Sequence, residues 1–142
     1  MRLFLDANVL FSAAYMDKSR PRSMFRLAEA GMCELLASPY AIEEARRNLT
    51  FKRMERLPEF VRLTSALTIC PEPSKEYIEW AAARGLGPKD APILAAAAQA
   101  KVDLLVTGNR TDFGHLYRRI LRGVEILSPA EALDRILSAA GL

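Results

Sequence analysis

The chain reads as a three-layer α/β/α domain, a central parallel sheet of about five strands with helices on both faces. Three observations predict it. Short apolar runs alternate with helical patterns along the whole length, as a parallel sheet covered on both sides requires. The size, 142 residues with 51% hydrophobic and 26% charged, suits a single domain (1–142) with its own core. The first apolar run, Met1-Arg2-Leu3-Phe4-Leu5, stops on Asp6 and continues into Ala7-Asn8-Val9-Leu10, so a buried strand ends in a carboxylate where a helix begins.

Each element follows from local chemistry. Arg2–Leu5 is the first strand, and a helix spans about Asn8–Tyr15. Ser19 and Pro21 form a helix start, cap and first-turn proline, for a helix that ends at Gly31. Glu34–Ala37 is the second strand. Ser38-Pro39 repeats the start signal for a helix through Leu49. A helix at Phe60–Leu67 follows Pro58, then a brief strand Thr68–Cys70 closed by Pro71-Glu72-Pro73. Tyr77, Ile78, Trp80 and Ala81 mark a short amphipathic helix ended by Gly85-Leu86-Gly87-Pro88. Asp90–Ala100 is almost wholly apolar, which predicts a helix buried on more than one side. Leu104–Thr107 is the fourth strand, followed by the loop Gly108–Phe113 and a short helix. Val124–Leu127 is the last strand, and Ser128-Pro129 opens a final helix to about Ala140.

Composition excludes several classes. No apolar run reaches membrane-span length and no leader pattern is present, so the expected location is cytoplasmic. Two cysteines and one histidine, His115, make no zinc pattern. No Gly-x-x-x-x-Gly-Lys phosphate loop exists. A phospho-acceptor receiver wants paired acids after the first strand and a lysine after the last; here stand a single Asp6 and no such lysine. The net charge of +3 permits a polyanionic partner.

The chemistry lies in four dispersed acids, Asp6, Glu44, Asp90 and Asp112. Alone, each has an ordinary use. Asp6 and Asp90 suit helix caps, Glu44 beside Glu43 suits a solvated helix face, and Asp112 suits the start of a short helix. Together they fall near the carboxyl ends of strands or on helices that follow them, where ligands of open α/β sheets bind. Carboxylates gathered in one crevice repel each other unless a cation neutralises them. A set of oxygen donors without His or Cys selects Mg²⁺ or Mn²⁺. Such an ion polarises a phosphoryl oxygen and activates water, and a carboxylate can orient that water or take its proton.

The motifs resemble the PIN-domain nuclease family, in particular the VapC-like toxin components of toxin–antitoxin systems. Leu5-Asp6-Ala7-Asn8-Val9-Leu10 resembles its opening motif, and Ser38-Pro39-Tyr40-Ala41-Ile42-Glu43-Glu44 its Ser–Glu helix. Asp90-Ala91-Pro92-Ile93-Leu94 resembles the third acidic motif and Thr107-Gly108-Asn109-Arg110-Thr111-Asp112-Phe113 the last. The resemblance spans nearly the whole chain. It implies strand order 3-2-1-4-5, a Mg²⁺ or Mn²⁺ site and hydrolysis of single-stranded RNA. It implies catalytic and metal-binding roles for Asp6, Glu44, Asp90 and Asp112, with Asn8, Thr107 and Asn109 orienting carboxylates or waters around them. Some members carry Asp where this chain has Asn109, which leaves one fewer negative charge here. Glu44, rather than Glu43, aligns best with the functional glutamate.

RNA must bring phosphate to an acidic crevice, so basic groups should rim it. Lys89, beside Asp90, and Arg110, in the last acidic loop, are the expected substrate-binding residues. Lys18, Arg20, Arg22, Arg46 and Arg47 read first as surface charge, and Lys52, Arg53 and Arg56 as a solvated helix end. A protein antitoxin and a homodimer are the expected partners, the latter through apolar residues of Pro21–Gly31 and Asn48–Leu67. The rival function is a PIN-like module that binds RNA or protein without cutting.

Overall fold

A computed structural model describes all residues, Met1–Leu142. Its sheet has six strands in the order β3-β2-β1-β4-β6-β5. β1 (Arg2–Leu5) lies at the centre between β2 (Glu34–Ala37) and β4 (Leu104–Val106), and pairs in parallel with both. β3 (Thr68–Ile69) extends one side, and β6 (Val124–Leu127) the other, again in parallel. These five strands carry the expected order. The sixth, β5 (Ile120–Leu121), is an addition that pairs antiparallel with β6 through a tight hairpin. Arg122 (φ 49°) and Gly123 (φ 81°) form its turn, and two successive positive φ values favour this kind of hairpin.

Eight helices cover the sheet: α1 (Ala7–Tyr15), α2 (Arg20–Glu29), α3 (Pro39–Lys52), α4 (Leu57–Thr64), α5 (Lys75–Ala82), α6 (Ala91–Gln99), α7 (Arg110–Phe113) and α8 (Pro129–Ala139). Three of the expected serine caps are made. Ser19, Ser38 and Ser128 accept from the backbone N–H of Arg22, Ala41 and Glu131, and Glu131 reaches back to the Ser128 N–H. α6 is buried on almost every side. Its run of alanines lets it sit close to the sheet and to α5, where larger side chains would not fit. The central strand residues Leu3, Phe4, Leu5, Leu105 and Val106 are wholly buried.

The supposed solvated helix end is different. Arg22, Arg56 and Arg53 donate to the carbonyls of Ala13, Ala14 and Tyr15, at 2.8, 2.8 and 2.5 Å. These are the last carbonyls of α1, which no helical N–H can satisfy, and cations favour a helix C-terminus. Asp17 and Glu59 complete the network, Glu59 pairing with both Arg22 and Arg62. The helix that starts on Asp6 is therefore anchored at its far end by three guanidinium groups.

Candidate active site

β1 and β4 are neighbours from which the chain goes on to opposite sides of the sheet, to β2 and to β6, so a crevice opens beyond their carboxyl ends. Asp6 follows β1 and continues its pairing, donating its backbone N–H to the Val106 carbonyl at 3.0 Å. One carboxylate oxygen accepts from the Ala7 N–H at 2.7 Å. The other accepts from the Thr107 hydroxyl at 2.8 Å and the Asn8 amide at 3.0 Å. The residue is 3% exposed. Burial pushes its carboxyl above the usual range, and Glu44 adds to the rise; the Thr107, Ala7 and Asn8 donors oppose it.

Thr107 connects the first acidic motif to the last. Its hydroxyl accepts from the Asn109 N–H at 3.1 Å. Asn109 in turn donates its amide to Asp112 at 2.8 Å and accepts from the Asp112 N–H at 3.1 Å. Asn8 accepts from the Gly108 N–H at 2.9 Å. A Cβ at Gly108 would stand 3.3 Å from that Asn8 oxygen and would press the Asn8 side chain aside. The three polar residues expected around the acids thus form one chain of hydrogen bonds from Asp6 to Asp112.

Asp90 precedes α6, but its carboxylate makes no capping hydrogen bond to the helix. It turns to the cleft instead and is 9% exposed. Its carboxyl is pushed up to about 6, first by burial, then by the Asp112 and Asp6 charges and by a hydrogen bond with Asp112. Two carboxylates that share a hydrogen bond need one proton between them.

Glu44 lies on α3 and lines the same cleft, with its side chain 16% exposed. Glu43 points outward and pairs with Arg46 at 2.5 Å. Lys89 pairs with Glu44 at 3.0 Å, and the Tyr40 hydroxyl donates to the Lys89 carbonyl at 2.9 Å. Lys89 therefore belongs to the cleft wall, already engaged by an acid.

The cleft holds about 430 Å³ and is lined by Asp6, Glu44 and Asp90 among others, with Lys52 and Lys89 as its cations. Asp112, which is exposed, stands beside Asp90 but outside the lining. Arg110 lines a neighbouring trough rather than the cleft. No three of the acids stand at the spacing that encloses an ion by side chains alone. The donor set nevertheless suits a hard divalent cation, because every group is an oxygen donor and the Asp90–Asp112 pair is crowded without a neutralising partner of its own. Magnesium keeps several waters, which lets carboxylates at wider spacing hold it.

Residues 2–111 match the family model of the PIN domain. The chain belongs to the PIN domain family. Solved structures share the fold at low identity. The crystal structure of VapBC2 from Rickettsia felis, bound to a promoter DNA fragment, has a TM-score of 0.70 at 17% identity, covering 90% of this chain and 98% of that one. PAE2754 from Pyrobaculum aerophilum has a TM-score of 0.69 at 18% identity, covering 97% and 96%. VapBC-1 from nontypeable Haemophilus influenzae has 0.59 at 19% identity, covering 92% and 99%. No curated protein matches. This PIN domain also uses residues that sequence reasoning passed over. Tyr117 donates its hydroxyl to the Thr107 carbonyl at 2.8 Å and so fixes the strand end that holds Asp6. Tyr40 fixes Lys89; its only sequence signal is its place in the Ser38-Pro39 helix start.

Proposed function

We propose that this PIN domain is a metal-dependent endoribonuclease that hydrolyses phosphodiester bonds of single-stranded RNA and serves as the toxin of a toxin–antitoxin pair. The observation that carries this reading is the convergence of Asp6, Glu44 and Asp90, from distant parts of the chain, on one cleft, with Asp112 close enough to Asp90 to share a hydrogen bond. Asp6, Asp90 and Asp112 would hold Mg²⁺ or Mn²⁺. When bound, the ion polarises a phosphoryl oxygen and supplies hydroxide from water at neutral pH. Asn8, Thr107 and Asn109 keep Asp6 and Asp112 aimed, as outer partners of metal ligands do. Glu44, the remaining acid that lines the cleft, would orient the attacking water or take its proton. Lys89 would exchange its Glu44 partner for the incoming phosphate and leave Glu44 to complete the acidic wall; its side chain is 71% exposed. Arg110 meets the strand beside the cleft.

A protein antitoxin is the proposed partner, supported by the toxin–antitoxin complexes among the structural relatives. A second copy of the chain is proposed as well, supported by exposed Phe51, Met54 and Val61 on the α3–α4 stretch. No helix is long and apolar enough to cross a membrane. Cytoplasmic RNA is the proposed substrate.

The experiment is cleavage of a panel of single-stranded RNAs with Mg²⁺ or Mn²⁺, with Asp6→Asn as control. The expected result is cleavage that needs the ion and is lost in the variant. RNA retained intact in every metal would favour the non-cleaving module.

A further inference from the structure

We infer that the trough beside the acidic cleft carries backbone phosphates of the RNA strand on one side of the bond to be cut. This rests on the ribonuclease reading above, which already uses Arg110, and adds Lys18, Arg20 and Arg26. The trough holds about 820 Å³, and its charged lining is Lys18, Arg20, Arg26 and Arg110, with no acid among its residues. In the cleft the balance is reversed, with three acids and two lysines.

The cations of the trough are free to bind. Lys18, Arg20 and Arg110 make no side-chain hydrogen bond or ion pair, and Arg26 makes one bond, to the Asp17 carbonyl at 3.1 Å. Their neighbours differ: Arg22, Arg53, Arg56 and Arg62 all serve carbonyls or carboxylates within the fold. Sequence proximity gives no reason for this division. Lys18 and Arg20 lie in and just after the connection between α1 and α2, Arg26 is nearly two turns into α2, and Arg110 opens α7, yet all four face one hollow.

The hollow adjoins the cleft. Ser12, Pro21, Gly108 and Pro129 line both, so a strand held in the trough lies next to the acids. Its one aromatic, Tyr117, has its hydroxyl engaged by the Thr107 carbonyl. With four cations in the lining and no acid, contacts there would be mainly electrostatic and made to phosphates, which positions a strand without reading its bases.

The test uses the full chain with Asp6→Asn, so that RNA binds without being cut. Affinity for a fluorescent single-stranded 12-mer is measured against salt, with and without Lys18→Gln, Arg20→Gln and Arg26→Gln together. Each phosphate contact contributes a slope of ~0.7 for single strands, so losing three flattens the log–log dependence by about 2. In the otherwise native chain the triple variant should raise KM more than tenfold at low salt and change kcat less than about threefold. A thermal melt checks that the variant folds. An unchanged salt slope and KM would overturn the inference, as would loss of an acidic peptide partner with RNA binding intact. If the native chain cuts no RNA with either metal, the ribonuclease reading fails instead, and the salt slope still reports on the trough.

Discussion

Replacing Asp90 with asparagine should make the metal-free protein more stable. The amide keeps the size of the side chain and can still donate to Asp112. It removes a charge that the fold tolerates poorly, since the Asp90 carboxyl titrates at about 6 against 3.8 for an ordinary aspartate. That difference corresponds to about 3 kcal/mol of penalty at neutral pH, and water at the open mouth of the cleft reduces it to ~1–2 kcal/mol. The sign is fixed by proton linkage. Between pH 3.8 and 6 the folded state binds more protons than the unfolded one, so native stability falls as pH rises through that window. Above pH 6 the whole penalty is present, and below 3.8 none is. For a domain of this size 1 kcal/mol moves Tm by ~3 °C. In chelator at about pH 7.5, Asp90→Asn should therefore melt ~3–6 °C above the native chain, and at about pH 4 the two should nearly coincide. Circular dichroism melts at both pH values are enough. A variant that melts at or below the native chain at the higher pH, or one whose advantage persists at the lower, would refute the reasoning.

Other substitutions probe the same geometry. Glu44→Gln should lower RNA cleavage at least tenfold while Glu43→Gln stays within about twofold, because only Glu44 faces the cleft; rates on one RNA decide it. Thr107→Val removes the hydroxyl that donates to Asp6, a charge-assisted bond of about 2 kcal/mol, and should lower both Tm and kcat with KM little changed. Arg22→Ala strips a buried cation from the α1 terminus and from Glu59; denaturant unfolding should show a loss of about 3 kcal/mol, with no loss a contradiction.

How much of this was legible in the sequence depends on the element. The five parallel strands were, because apolar runs between helix starts have few other uses. Asp6 was legible too, since an acid directly after a buried strand stands at the carboxyl edge of the sheet even where, as here, it also caps the next helix. Asp90 was not separable from a helix cap until its carboxylate was seen to make no cap bond. The choice between Glu43 and Glu44 was in reach. Ala41, Ala45 and Leu49 form the buried stripe of α3, and Glu44 lies next to that stripe, three residues from Ala41 and five from Leu49. β5 was missed because two residues carry no periodicity; the signal was the polar-then-glycine pair Arg122-Gly123 between Leu121 and Val124. The Lys89–Glu44 pair, the arginines on α1 and the trough are long-range, and no local pattern encodes which cations the fold engages and which it leaves free.

At the centre of the proposed chemistry stands a divalent ion bound by the Asp6, Asp90 and Asp112 carboxylates. Calorimetric titration of Mn²⁺ into chelator-treated protein near neutral pH tests this without any assumption about RNA. Saturable binding to the native chain, lost in Asp90→Asn and retained in Glu43→Gln, is the predicted result. No heat of binding, or binding that survives Asp90→Asn unchanged, would contradict it.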